Sequence, residues 1–409
     1  MCRLLCLMLA ATATSAADWT QWMGPNRDGT TSEKVEPWTE APKRLWSKKV
    51  GVGHSSPVVA DGKVFIHARV KGKDREEIIA FDAKSGEEKW RTGYDRAPYS
   101  SILNTGPQAT PTVSGGKVYG FGITGVLSCF DAEKGTLLWT KDALKDLKVD
   151  VPRFGVCCSP LVVGGKVLVA VGGKGSSVVA FDAKTGDVAW QKLDEQANTS
   201  SPVLFAGEGQ TVPDAVFMTA LRVVGLYPLD GSVNWEFALP FQPGGTSPTP
   251  LVANDMVVTS TMDNGTTAVK VKGGDKPKAE KAWQGKKLSG YFSSGTVAGD
   301  RLFLVTNVLK PMPRADLVCV NLADGKELWK EEGVGYFHFA AVHTGNDKLL
   351  ILDDSGNLKL IDATAKAYKE LCKSKVCDGL LSSPGVADGK VYVRDGEKVV
   401  CVELGGGKK

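Results

Sequence analysis

The 409 residues carry a formal net charge of +4, with 42% hydrophobic and 23% charged side chains, the balance of an ordinary folded chain. Lysines and arginines are scattered and form no basic block, which excludes a nucleic-acid footprint. The 47 glycines and 20 prolines imply many turns and point to an all-β chain.

Met1-Cys2-Arg3 precedes the apolar run LLCLMLAA and then ATATSAA, the three-part layout of a secretory signal peptide. Residues 1–17 are read as that signal. The apolar run is too short to span a bilayer, and no later stretch approaches about 18 uninterrupted apolar residues. The expectation is a soluble periplasmic or secreted chain without a transmembrane segment. Residues 18–41, opening with DWTQWMGPNRDG, form a lead-in, and residues 42–50, containing KRLWSKKV, read as a lone strand.

From Ser55 onward the chain repeats itself. SSPVVADGKVFI, ATPTVSGGKVYGFG, CSPLVVGGKVLVAV and SSPGVADGKVYV, starting at Ser55, Ala109, Cys158 and Ser382, each alternate apolar residues around a glycine-containing turn, which is a hairpin signal. Each of the first three is followed by a second element: AFDAKSGEEKW to Trp90, CFDAEKGTLLW to Trp139 and AFDAKTGDVAW to Trp190. Weaker copies end at Trp235, Trp283 and Trp329, and a worn one lies near Tyr368. One unit is four short strands, and the spacing of roughly 39 to 51 residues is that of propeller blades.

The last unit, from Ser382, has three strands and no tryptophan after it. The strand around Trp46 completes it, so both chain ends share one blade and the ring closes without a free edge. The predicted fold is therefore a single eight-bladed β-propeller over residues 18–404, followed by a glycine-rich tail at 405–409. Gly86, Gly135 and Gly186 supply the positive φ of the turn, while Trp46, Trp90, Trp139, Trp190, Trp235, Trp283 and Trp329 wedge between blades.

The eleven-residue A-x-D-x-x-[ST]-G-x-x-x-W pattern resembles the tryptophan-docking motif of pyrroloquinoline-quinone-like propeller repeats, over nearly all of the mature chain. The DWTQWMGPNRDG opening is similar to that of secreted propellers of the same family with no assigned activity. The family also holds a periplasmic scaffold of the outer-membrane protein assembly machinery, similar in length, and quinoprotein alcohol dehydrogenases, which are considerably longer. The resemblance implies a binding or scaffold module, non-catalytic and with no cofactor. The dehydrogenase branch would instead imply a quinone held with calcium.

Cysteines sort by repeat position. Cys2 and Cys6 leave with the signal, and Cys129, Cys319 and Cys401 take the small buried slot of Ala80 and Ala180. Cys372 and Cys377, spaced C-x4-C, suit a loop disulfide in an oxidising compartment; the other readings are two free thiols or half of a zinc site. Cys157 and Cys158 stand side by side before an innermost strand. They resemble the vicinal disulfide that the dehydrogenases place against their quinone. The other readings are a strained staple, or one thiol turned inward and one outward by strand alternation. The calcium ligands, aspartate base and tryptophan floor of those enzymes are assigned to no position here, and no C-x-x-C-H haem site occurs.

The loops leading into the innermost strands gather His54, Tyr99, Asn104, Arg153, Phe154, Cys157, Cys158, Asn198, Tyr291, Phe292, Tyr336 and His338. Loops of one propeller face converge on the channel, so these are the candidate ligand-binding residues. A protein partner or a small ligand, including a carbohydrate or peptide, is expected at that face of a monomer.

Overall fold

The computed structural model describes residues 18–101, 104–207, 210–240, 247–274, 277–309, 311–379 and 381–404. The segments read as signal peptide and tail lie outside these residues. Eight four-stranded antiparallel sheets follow one another around a ring, seven of them in simple chain order. The first blade shows why: Val58–Ala60, Lys63–Arg69, Arg75–Asp82 and Glu88–Asp95 are β-rich segments punctuated by tight turns. One four-residue helix, Ala143–Asp146, interrupts the pattern, its first turn capped by the Asp142 carboxylate.

The eighth blade pairs Gly385–Ala387, Lys390–Asp395 and Lys398–Glu403 with Arg44–Lys49 from the N-terminus. Trp46 faces Cys401 in that closing pair. The ring therefore closes as expected.

Tryptophans and glycines act across the blade seams. The indole N–H groups of Trp46, Trp90, Trp190 and Trp283 donate to carbonyls of the next blade, at Ala83, Ala132, Pro228 and Leu322, over 2.9 to 3.1 Å. Gly86 has φ of +70° and lies under the Trp46 ring, where a Cβ would come within 2.6 Å of the indole. The glycine thus serves both its own turn and its neighbour's tryptophan. Trp235 departs from the pattern and donates to Asp214 within its own blade, at 2.8 Å.

The seventh blade corrects one expectation. Its docking position is Cys372, opposite Leu360 as Trp90 is opposite Ala80, and not Tyr368. A tryptophan from elsewhere covers it. Trp38, in the lead-in, donates its backbone N–H to Cys372 Sγ at 3.4 Å and its indole N–H to Ser374 Oγ at 2.9 Å. It is 8% exposed, within the core cluster shared with Leu358, Leu360 and Cys401.

All seven described cysteines are free, so the proposed Cys372–Cys377 bridge is not formed. Cys372 sits inside the extended strand Glu370–Lys375 with its sulfur engaged by Trp38, while Cys377 is buried beyond the strand's end. Three strand steps alone carry the chain about 10 Å, well beyond the Cα separation of a relaxed disulfide.

The lead-in also fills one end of the central channel. Trp19 pairs with Val59 in blade 1, Thr20 accepts from Val113 in blade 2, and Gly29 and Thr31 bracket His343 in blade 7. Arg27 is fully buried and makes the hub of this plug. Its Nη1 donates to the carbonyls of Ser159 (3.2 Å) and Pro202 (2.9 Å), its Nη2 to the Pro160 carbonyl and Thr112 Oγ1, and its Nε to Gln21 Oε1 (2.8 Å). Burial lowers its pKa to about 10, so the guanidinium stays charged at neutral pH, solvated by protein oxygens.

Candidate functional site

Two residues before most innermost strands stands a hydroxyl, and these hydroxyls link the blades around the channel. Backbone N–H groups of Ser383, Ser56, Thr110, Ser159, Ser201 and Thr249 donate in turn to the side-chain oxygens of Ser56, Thr110, Ser159, Ser201, Thr249 and Ser294, at 2.8 to 3.3 Å. This is the purpose of the second residue in the Ser-Ser-Pro repeats. Ala340 interrupts the hydroxyl sequence in blade 7.

Above this ring, at the end opposite the lead-in, the channel opens into a cup of about 330 Å³. Its walls are His54, Gln108, Phe154, Cys157, Thr199, Ser247, Tyr291, Phe292, Phe337, His338 and Leu381, and Trp22 of the plug lies among the hydroxyls beneath. The Trp22 indole N–H donates to Thr249 Oγ1 at 2.9 Å, which fixes the ring in place.

The two Gly-Tyr-Phe triplets are positioned by neighbouring loops. Asp354 accepts from the backbone N–H groups of Tyr336, Phe337 and His338 at 2.6 to 3.1 Å. Asn307 accepts from Tyr291 at 3.0 Å and donates to the Phe337 carbonyl at 2.8 Å, tying the two triplets together. Tyr291, Phe292, Phe337 and Tyr336 then form a run of edge-to-face rings with centroids 4.4, 6.0 and 4.5 Å apart. That run climbs from the cup to Tyr336, which is 53% exposed on the lip.

Seven of the twelve sequence candidates wall or line the cup: His54, Phe154, Cys157, Tyr291, Phe292 and His338 directly, and Tyr336 at its lip. The other five do not. Cys158 is buried behind the wall, where its sulfur accepts from the Ala170 N–H at 3.3 Å. Asn104 and Asn198 are buried and cap their own loops, accepting from Gly106 and Thr199. Tyr99 donates to the Arg153 carbonyl at 3.1 Å, and the Arg153 guanidinium lies 5.4 Å from the Phe154 ring centroid; both act from outside the cup. The twelve candidates did not include Trp22, Gln108, Phe337, Leu381 or the inner hydroxyls. The repeated Ser-Ser-Pro was the signal for the last of these.

Cys157 and Cys158 form no vicinal disulfide. Their side chains turn opposite ways ahead of the strand Leu161–Val163: Cys157 turns to the cup and donates towards Gln108 Oε1 at 3.5 Å, while Cys158 turns inward. Burial pushes the two thiols up to about 12 and about 11, far from thiolate formation.

The cup's histidines are neutral. Burial lowers His338 to about 4, and burial together with the nearby Arg394 and His338 lowers His54 to about 4. His338 Nδ1 is hydrogen-bonded to Ser293 Oγ at 2.5 Å, whereas its Nε2 is buried and makes no well-formed hydrogen bond, with the Ser382 backbone nearby. Among the described residues that wall the cup there is no Asp, Glu, Lys or Arg. Pyrroloquinoline quinone is a tricarboxylate that needs cations for its carboxylates and oxygen ligands for calcium, so the cup does not fit that pair. No group of three or more His, Cys, Asp or Glu among the described residues could hold a metal ion.

The family model described as outer membrane protein assembly factor BamB matches residues 37–109 and 74–331. The chain belongs to that family. It is similar to the outer membrane protein assembly factor BamB of Shewanella oneidensis, with 25% identity over 378 residues, covering 87% of each chain. Among solved structures, the quinohemoprotein alcohol dehydrogenase of Comamonas testosteroni superposes with a TM-score of 0.71 at 14% identity, covering 98% of this chain and 82% of that one. BamB of Moraxella catarrhalis gives 0.61 at 14% identity, covering 88% and 99%. At these identities the structural matches establish the propeller fold alone. No helix among the described residues is long and apolar enough to cross a membrane.

Proposed function

We propose that the chain is an exported, monomeric, non-catalytic binding module that serves as a scaffold in outer-membrane protein assembly, with a protein partner at the cup-bearing face. The signal-like N-terminus and the match to assembly-factor relatives over 87% of the chain support this reading. The observation that carries it is the cup's chemistry. An acid–base or nucleophilic reaction needs a titratable group poised near working pH, and the cup's described lining offers two neutral histidines and a thiol held protonated by burial.

Two assays test it. Expressed in Shewanella oneidensis lacking its own BamB, the chain is expected to restore outer-membrane protein levels. The purified protein is expected to give no dye reduction with alcohols, pyrroloquinoline quinone and calcium. Saturable quinone-dependent turnover overturns the reading.

A further inference from the structure

The cup is a built site, and its lining states what it would accept. Its volume of about 330 Å³ is about twice the roughly 150 Å³ cavity that holds a benzene ring. The wall is aromatic on one side, with Phe292 and Phe337 meeting edge to face, and Trp22 closes the floor. Flat aromatic groups gain most from such walls, through edge-to-face contact in addition to area burial.

Much of the polar lining is already committed. Thr249 Oγ1 accepts from Trp22 and from the Ser201 N–H, and Thr199 Oγ1 is bonded to Ser247 Oγ at 2.9 Å. Gln108 spans the Phe154 carbonyl and the Cys157 thiol. The ring nitrogens of His54 on the wall remain, as does His338 Nε2, in a side chain 5% exposed with the Ser382 backbone beside it. Its partner nitrogen is held by Ser293, so Nε2 can give or take one hydrogen bond without the ring moving. The described lining offers a charged group no counter-ion, and the buried Arg394 behind His54 is already held by the carbonyls of Gly51, Ser55 and His67, so the desolvation of a charge would go largely uncompensated.

We propose that this cup binds one uncharged aromatic ring carrying a single hydrogen-bonding group, the chemistry of a phenol or an indole, seated between Trp22 and the Phe292–Phe337 pair and hydrogen-bonded to His338. This deepens the scaffold reading by giving it a recognition element. Such a ring can come from a free small molecule or from a tyrosine or tryptophan side chain of a partner. The exposed Tyr336 continues the aromatic run outward, where a polypeptide carrying the ring would lie.

Calorimetric titration of the mature protein tests this with p-cresol, toluene, 4-hydroxyphenylacetate and the blocked tripeptide acetyl-Gly-Tyr-Gly-amide. Expected are saturable 1:1 binding of p-cresol, about tenfold weaker binding of toluene, and at least tenfold weaker binding of 4-hydroxyphenylacetate. His338→Phe should erase the preference for p-cresol over toluene, a readout that general loosening would not move. Cys157→Phe should fill the cup and abolish binding; if it does not fold, Leu381→Trp on the rim replaces it. Tighter binding of the tripeptide than of p-cresol supports a partner's side chain as the source, and the reverse supports a free ligand. Absence of saturable p-cresol binding, or equal affinity for the carboxylate, overturns the proposal. Restored outer-membrane protein levels without p-cresol binding would remove the aromatic site and leave the scaffold reading standing.

Discussion

Trp38 and Cys372 lie 334 residues apart and meet at one blade seam, the backbone N–H of Trp38 donating to Cys372 Sγ at 3.4 Å. The seventh blade lacks its own docking tryptophan, and the lead-in delivers one from the other end of the chain. Trp38→Ala is expected to destabilise the protein by about 3 to 5 kcal/mol, as for other large buried aromatics. Urea unfolding measures the loss. Faster labelling of Cys372 by a thiol reagent in the folded variant would locate the damage at this seam.

Arg27 stitches blades 2, 3 and 4 to the plug through five donated hydrogen bonds. Replacing it with Met removes the donor to the Ser159 and Pro202 carbonyls and to Gln21 Oε1, while Pro160 keeps Thr112 Oγ1, and each lost partner costs about 1 to 3 kcal/mol. Arg27→Met is therefore expected to lower stability by at least about 3 kcal/mol, and Arg27→Lys, with three donors, to fall between. An unchanged denaturation midpoint in Arg27→Met would show that the plug is not anchored there.

Gly86 and Gly62 have nearly the same backbone, with φ of +70° and +69°, but only Gly86 lies under an indole. Gly62→Ala meets open space, so its cost is that of a left-handed alanine, about 1 to 2 kcal/mol. Gly86→Ala adds a Cβ 2.6 Å from Trp46 Cδ2 and is expected to cost about 1 to 3 kcal/mol more. Equal losses in the two variants would refute the cross-seam role of the glycine.

Thiol chemistry gives a direct count. The described chain carries seven free cysteines, so titration of the unfolded mature protein without reductant should find seven reactive thiols. In the folded protein at pH 7.5, Cys157 and Cys158 should alkylate slowly, because burial holds them protonated. A count of five would reveal a bridge.

Acid and base limbs of stability have opposite sources. Burial lowers His54 and His338 to about 4 and His67 to about 3, all below the ordinary 6.5, so they favour the fold fully above pH 6.5 and lose that contribution as pH falls towards 4. Glu76 runs the other way. Burial raises it to about 7, against Tyr94 and Arg96, which pull it down, so its contribution is complete below pH 4.5 and disappears as pH rises through 7. Three histidines outweigh one carboxyl, and Tm is expected to fall between pH 6.5 and 4. Glu76→Gln should flatten the change between pH 4.5 and 7 that belongs to the carboxyl. A Tm that rises steadily on acidification to pH 4 contradicts the assignment.

The repeat made the ring legible. Alternating apolar residues, a glycine turn and a terminal tryptophan recur at blade spacing, so blade number, strand count and the closing strand around Trp46 followed from local periodicity. Most of the cup was legible too, since loops before successive innermost strands must converge on the axis. Cys158, Asn104 and Asn198 lie off the cup because sequence position places a residue in a loop without saying which way its side chain turns. Tyr99 and Arg153 lie outside it because the cup is narrower than the face around it.

What the sequence by itself determined is everything that repeats: the propeller, its seams, and the small slot shared by Ala80, Cys129 and Cys401. Only the tertiary structure decided what occurs once. Trp22 under the cup, Arg27 in the channel and Trp38 at the seventh seam come from a lead-in with no repeat to align it. Their partners lie far away in the chain, and local propensity carries no information about a contact whose two halves meet only when the ring has closed.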